Sequence, residues 1–462
     1  MWPVALAAAL AALWPLSAYE VNPLVLPGLI VIALAAVLVV TRPEYGLAFA
    51  IALSPLINLD VGGGSRPLQI LVPFMVFGVA VYATLVLPGL RALPVRWLSL
   101  ATALFVVAVI ASAVQALEPS ESLGKLFRVL TAGGLFFAVL EICRARRQLV
   151  IVTAGAVGAL FLAGTHGVFQ HFLGLSGAFS FVVDGSVVER VQGSFGHPNE
   201  FGGFVAVLIP VAGAMLATRR LPTALRAFAA LSLLVGVPAL TYSYARGAIG
   251  ALVVGVLVWV AIVRSRFALP LAAAIAAAAV FFAPSALKER FDTSRGTDLA
   301  LRSDIWGAAV DIYSERPVLG VGPNNFATAY AALPSTLADA SQRRLLHQEA
   351  VLVPPYAESL YLNTLAEEGL VGLAALLLLG VSAVVVGYRG ARIRDPVGRT
   401  ISLGIGAGFI TLAVHGIVQY TLLTEVAIPL FALLAVVARF VALDREPVEE
   451  PTEAGPGYAV RM

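Results

Sequence analysis

Runs of about twenty apolar residues recur along the whole chain, and that is the length an α-helix needs to cross roughly 30 Å of hydrocarbon while satisfying its own backbone. Such runs predict helices near residues 2–18, 23–41, 45–58, 67–89, 97–116, 123–142, 149–172, 199–218, 222–242, 248–263, 267–284, 360–388, 400–420 and 425–443. The expected fold is therefore all-α, a polytopic membrane protein with about 12–14 transmembrane helices and one large, partly helical extracytoplasmic loop. Composition agrees. Charged residues are 12% of the 462 positions, about half the share of a soluble domain. The first run has no Lys or Arg before it and no convincing small-residue cleavage site before Glu20, so it reads as a retained helix and not a signal peptide.

The arginines set the expected orientation. Arg42, Arg91 with Arg96, Arg144 with Arg146 and Arg147, Arg219 with Arg220, Arg264 with Arg266, and Arg389 with Arg392, Arg394 and Arg399 fall on alternate connections. By the positive-inside rule that face is cytoplasmic, which also places both termini inside. The net charge of +3 follows from this topology and gives no reason to expect nucleic acid as a partner. Cys143 is the only cysteine, so no disulfide can form within the chain and a Cys-type structural zinc site is excluded. Beside the cytoplasmic arginines it reads as a spectator thiol.

Three regions follow: residues 1–174 as N-terminal transmembrane helices, 175–443 as a membrane region that includes the extracytoplasmic loop 285–358, and 444–462 as a disordered cytoplasmic tail. A membrane protein has no packing reason to carry a polar, arginine-bearing insertion of about 75 residues, so function is sought there and on the connections that share its face.

Arg190 opens the segment Arg190-Val191-Gln192-Gly193-Ser194-Phe195-Gly196-His197-Pro198-Asn199, where Pro198 and Asn199 suit the start of a helix whose free N–H groups favour an anion. Arg246 stands in a connection of a few residues between two apolar helices, so it must be paired, face water, or snorkel to lipid phosphate. Arg302 lies in Arg302-Ser303-Asp304-Ile305-Trp306, read as an amphipathic helix, and is followed by the tight turn Gly320-Val321-Gly322-Pro323-Asn324-Asn325. The loop re-enters the membrane through Tyr356-Ala357-Glu358-Ser359-Leu360-Tyr361-Leu362 and then Glu367-Glu368-Gly369-Leu370-Val371-Gly372, with the two glutamates expected near the wet end of that helix. Lys125 and Arg128 stand three apart on one helix face near its outer end, suited to phosphate or to lipid headgroups. His166, His171 and His415 read as structural.

Together these stretches resemble the O-antigen ligase and polysaccharide polymerase family. The family pattern is Arg-x-x-Gly-x-Phe before a Pro-Asn helix start, Ser-Arg-Gly, Arg-x-x-x-Trp, Pro-x-Leu-Gly-x-Gly, and His-Asn-x-Tyr-Leu leading to Glu-x-Gly-Leu-x-Gly. Residues 190–372 follow it in order with two departures. Ala245-Arg246-Gly247 lacks the serine, and Glu358-Ser359 stands where His-Asn is expected. The resemblance implies a GT-C-like membrane glycosyltransferase of the cytoplasmic (inner) membrane, working on its periplasmic face. Its donor would be a glycan on undecaprenyl diphosphate, its acceptor another glycan or lipid A core, its surroundings membrane lipid, and its partners those of polysaccharide export or chain-length control.

In that reading Arg190, Arg246 and Arg302, with Lys125 and Arg128, bind the diphosphate. Arg246 and Arg302 also act in catalysis, and Glu358 takes the role of the base; His347 is the alternative base. Partial burial where the loop re-enters would favour a protonatable Glu358, whereas the plain structural reading makes it a helix N-terminal acid. No paired-carboxylate motif of the Asp-x-Asp kind appears on the outer face, so no metal and no cofactor is expected, the arginines supplying the positive charge. The missing His-Asn pair favours a polymerase over a ligase. A lipid-linked sugar transporter is the competing class, but it would place ionisable groups at the midplane and often show inverted repeats.

Overall fold

The computed structural model describes residues 41–59, 95–174, 179–183, 186–263, 295–333, 354–422 and 426–445, with scattered positions at 37 and 72–78. In chain order the helices are α1 (Pro43–Leu53), α2 (Arg96–Val114), α3 (Pro119–Ile142), α4 (Arg146–Phe172), α5 (Pro198–Ala217), α6 (Thr223–Tyr242), α7 (Arg246–Val263), α8 (Arg295–Glu315), α9 (Phe326–Ala332), α10 (Leu360–Gly390), α11 (Pro396–His415) and α12 (Ala427–Leu443). Strands β1 (Ser180–Val183) and β2 (Ser186–Glu189) form one antiparallel hairpin before α5, with Phe181 opposite Val188.

Eight of these helices are long and apolar enough to cross a membrane, namely α2 to α7, α10 and α11. The architecture is the expected all-α polytopic one. Proline and short polar caps start the helices: Pro198 occupies a first turn as expected, Pro119 and Pro396 begin α3 and α11 four residues before the expected starts, and the Asp395 carboxylate accepts from Gly398 N at 2.9 Å. The expected span at 45–58 is shorter, because α1 ends at Leu53 in a 3₁₀ turn, Ser54–Leu56, and eleven residues rise only about 17 Å. The last expected helix pair also shifts. α11 stops at His415 and leaves residues 416–420 as a turn, which becomes part of the site. The spans expected at 2–18 and 267–284, nearly all of those at 23–41 and 67–89, most of the tail, and His347 lie outside the described residues.

Packing follows small residues, as it must where lipid supplies no hydrophobic drive between helices. Gly404 and Gly408 of α11 lie so close to α5 that a β-carbon would come within 2.6 Å of Pro210 O and 2.5 Å of Val207 O. α12 is buried on nearly every side, from Ala427 to Val441, and packs on α3, α4, α10 and α11. By contrast, Leu100, Leu104, Val107 and Val114 form an exposed stripe on α2, as do Leu370, Leu377, Val381 and Val385 on α10. Helical spacing of exposed aliphatics marks faces that lipid covers.

Connectivity puts the starts of α3, α5, α7 and α10 and the ends of α2, α4, α6 and α11 at one end of the bundle. The arginine clusters at 144–147, 219–220 and 389–399 lie at the other. Cys143 sits just beyond α3 with no exposed surface, and burial pushes its thiol up to about 12. Intact protein is therefore expected to resist maleimide at neutral pH and to react stoichiometrically once denatured, as intact-mass measurement would show; prompt labelling of the native protein would contradict the burial.

Candidate active site

At the bundle end opposite those clusters, the polar residues converge from five segments distant in sequence. The β-hairpin ends at Arg190, whose N–H donates to Phe179 O at 2.9 Å. Its buried guanidinium then donates to Ser243 O (3.0 Å, through Nε) and to Asn199 Oδ1 (2.7 Å, through Nη2), joining the hairpin to the α6–α7 turn and to the first turn of α5. The rest of that motif is a brace. Gln170 Oε1 accepts from the N–H groups of Gln192 and Gly193 at 3.0 and 2.9 Å. Gly193 takes φ +59° against the Phe201 ring, where a side chain would be both strained and crowded. His197 caps α5, its Nδ1 accepting from Asn199 N at 3.0 Å.

The helix start at Pro198 also carries an anion of its own. Glu200, in the first turn of α5, is buried and accepts a hydrogen bond from the Tyr356 hydroxyl. That hydroxyl in turn accepts from Gln419 Nε2 at 3.3 Å, and Gln419 Oε1 accepts from Asn199 Nδ2 at 3.3 Å. Burial first, then the neighbouring Glu200 and Glu358 carboxylates, push the Tyr356 phenol well above its ordinary value. Tyr356 is thus a permanent neutral donor at the centre of a closed chain of hydrogen bonds from Arg190 to Glu200.

Two residues further on, Glu358 is held in the left-handed region at φ +47°, a conformation that costs a non-glycine residue about 1–3 kcal/mol and persists only where surrounding contacts fix it. Those contacts are present. Ala357 N donates to Asn363 Oδ1 (2.9 Å), Leu360 N to Gly416 O (2.7 Å) and the Tyr361 hydroxyl to Ala413 O (2.8 Å), tying the re-entering loop to the end of α11. So fixed, the Glu358 carboxylate meets Arg302 Nη2 at 3.1 Å, the two side chains being 28% and 21% exposed. The Arg302 guanidinium also donates to Val418 O. α8 is seated by a small core of its own, Ile305, Ala308, Ile312, Phe326 and Tyr330 against Ala357 and Ala366, which places Arg302 over the 416–420 turn. The first turn of α7 reaches the same turn, since Gly247 packs against Val418 and His415. Arg246, half-exposed at the N-terminus of α7, stands beside that contact.

Lys125 belongs elsewhere. It is buried and forms ion pairs with Glu367 and with Glu368, the latter at 2.9 Å. The two glutamates, expected at a wet helix end, are enclosed where α10 breaks at Gly369 (φ +67°). The 320–325 turn fills that break. Val321 N and Gly322 N donate to Ala366 O and Glu367 O at 3.1 and 2.9 Å, Leu370 N donates to Pro317 O at 2.9 Å, and Glu367 Oε1 accepts from Phe326 N at 3.1 Å. Asn325 extends the brace to the α2–α3 connection, accepting from Glu118 N at 2.6 Å and donating to Ser122 Oγ at 2.9 Å. At Gly320 (φ +69°) a β-carbon would lie 2.3 Å from the Glu367 carbonyl, so Gly320→Ala is expected to destabilise the protein by roughly 2–4 kcal/mol. Thermal unfolding in detergent, compared with the exposed control Gly307→Ala, would measure it.

Of the residues expected from sequence, Arg190, Arg246, Arg302 and Glu358 gather at one end, Lys125 lies in the brace beside it, and Arg128 is exposed on α3. Sequence reading missed Glu200, Tyr356 and Gln419 as members of the cluster. Glu200 and Tyr356 lie within or beside quoted motifs, whereas Gln419 gave no signal because it was placed inside an expected helix. His171 stacks on Tyr242 at 3.8 Å between ring centroids. His415 is buried, and its Nδ1 has no hydrogen-bond partner among the described residues.

Fold and site define the class as an all-α multi-pass membrane protein with an arginine and carboxylate cluster at one end of its bundle. Residues 229–377, which run from α6 through the break in α10, match the family model described as O-antigen ligase, and this match supports an O-antigen ligase/polymerase-family protein. No curated protein matches the chain. The match includes Arg246, Arg302 and Glu358 and supports a ligase or polymerase type of activity; Arg190 and Lys125 precede it.

Proposed function

We propose that the protein is a polysaccharide or O-antigen polymerase of the inner membrane, which moves a glycan from undecaprenyl diphosphate to a sugar hydroxyl of a second glycan on the periplasmic face. The observation that carries this reading is the Arg302–Glu358 ion pair at 3.1 Å, set at the same bundle end as Arg190 and Arg246. The basic connections at the opposite end support the orientation, with both termini cytoplasmic.

The chemistry is an inverting displacement. The acceptor oxygen attacks the anomeric carbon as the bond from that carbon to the diphosphate oxygen breaks; the hydroxyl proton passes to Glu358, and undecaprenyl diphosphate leaves as the anion. Arg302 serves twice, orienting the Glu358 carboxylate and lending positive charge to the leaving group, with Arg246 as the second cation. Arg190, committed to Ser243 O and Asn199, holds the α5 and α7 helix starts in place and contributes its charge from there. Arg128 is a contact for the donor headgroup. Lys125 neutralises the buried glutamates. Fixed cations take the role of a metal ion, so transfer is expected to continue in EDTA; activity lost in EDTA and restored by magnesium would contradict this.

Transfer by the full-length protein in nanodiscs, supplied with a lipid-diphosphate oligosaccharide, tests the reading. Wild type is expected to build a ladder of longer lipid-linked products, and Arg246→Ala and Glu358→Gln to abolish it. Transfer only to added lipid A core would make the protein a ligase. Full activity of Glu358→Gln would remove the assigned base.

A further inference from the structure

A second candidate binding site lies at the opposite end of the bundle, away from the arginine and carboxylate cluster. A groove of about 700 Å³ opens between α1, α4 and α6. Its walls are apolar, formed by Ala48 and Ala52 of α1, Ala154 and Gly158 of α4, and Leu225 and Phe228 of α6. Its mouth is basic. Arg146 and Arg147 from the first turn of α4 and Arg220 from the α5–α6 connection line the same groove.

Charge at the mouth is only partly answered by the protein. Arg146 pairs with Asp395 at 3.1 Å. Arg147 donates to the Tyr45 hydroxyl at 3.3 Å, and among the described residues neither Arg147 nor Arg220 is paired with a carboxylate. From Arg147 to Gly158 the groove follows α4 for about 17 Å, a little over half of the roughly 30 Å hydrocarbon core. A cationic rim at the helix ends above an apolar slot one leaflet deep has the dimensions of a single lipid with a negative headgroup.

We propose that this groove holds one anionic phospholipid, its phosphate between Arg147 and Arg220 and an acyl chain along Ala154 and Gly158. A zwitterionic lipid would bring an ammonium group into a mouth that is already positive. Free phosphate would leave the apolar walls uncovered. A lipid bound there would bridge α4 and α6 at the end remote from the α6–α7 turn that carries Arg246. This inference stands apart from the proposed glycosyl transfer and survives its failure.

Native mass spectrometry of the full-length protein, released from nanodiscs of phosphatidylglycerol and phosphatidylethanolamine, tests it. One phosphatidylglycerol is expected to remain bound, and the double variant Arg147→Gln/Arg220→Gln to weaken its retention about tenfold or more, since each arginine near an anionic headgroup is worth roughly 1 kcal/mol. Ala154→Trp, which fills the slot and keeps both charges, is expected to expel the same lipid. Thermal unfolding and gel filtration of each variant check that it is folded, and the two variants fail by different routes if either does not fold. Equal retention of phosphatidylethanolamine, unchanged retention in both folded variants, displacement by inorganic phosphate alone, or preferential capture of undecaprenyl phosphate would each overturn the assignment.

Discussion

Arg302→Ala is expected to lower the turnover of glycosyl transfer by about 10²–10³-fold, the range found when one preorganised donor to a developing anion is removed. Arg302 joins the Glu358 carboxylate to the 416–420 turn, pairing with Glu358 and donating to Val418 O. Its loss would free Glu358 from its orientation and remove a cation from the leaving group in one step. The fold should tolerate the change, because α8 is seated by Ile305, Ala308 and Ile312 and not by Arg302. Arg302→Lys is expected to recover only part of the rate, since an ammonium restores charge without the planar fork that reaches two acceptors. Initial rates in nanodiscs, with thermal unfolding as the folding control, decide the matter: activity within threefold of wild type for Arg302→Ala would remove Arg302 from the reaction.

The second large effect is on stability. Lys125→Met is expected to cost about 3–5 kcal/mol, the penalty for leaving a buried ion pair with one partner. Here the partners are Glu367 and Glu368, both enclosed at the break in α10 and both paired with Lys125. Adding Glu368→Gln to that variant should return part of the loss, because it removes one of the stranded charges. Unfolding midpoints of the four proteins in the cycle would measure the coupling. A Lys125→Met protein of normal stability but raised KM would instead put Lys125 on the substrate, the role its position near a helix end suggested.

These two residues mark where sequence reasoning reached and where it stopped. Lys125 and Arg302 look alike in the chain, each a cation on a helix near the same bundle end. Only the fold separates them, because the separation depends on which distant segment packs opposite. Glu367 and Glu368 draw Lys125 inward across 242 positions of sequence, a pairing that no local pattern encodes. In the same way Gln419 looked like one more polar residue in a helix until α11 ended at His415 and the following turn bonded it to Tyr356 and Asn199.

Helix existence was legible because the constraint is local and severe. A backbone in hydrocarbon must bond within its own segment, so length and apolarity alone predict the spans, and Pro198 marks where one of them begins. The family motifs were legible for a related reason: glycines at 193, 320, 322 and 369 stand where the backbone takes positive φ, a demand one residue type meets best. What the tertiary structure alone decided was partnership. It set Glu358 in a strained conformation against Arg302, committed Arg190 to Ser243 and Asn199, enclosed Lys125, and opened the groove beside Arg147. Those outcomes depend on contacts between segments far apart in the chain, and charge or polarity at one position carries no information about what will face it.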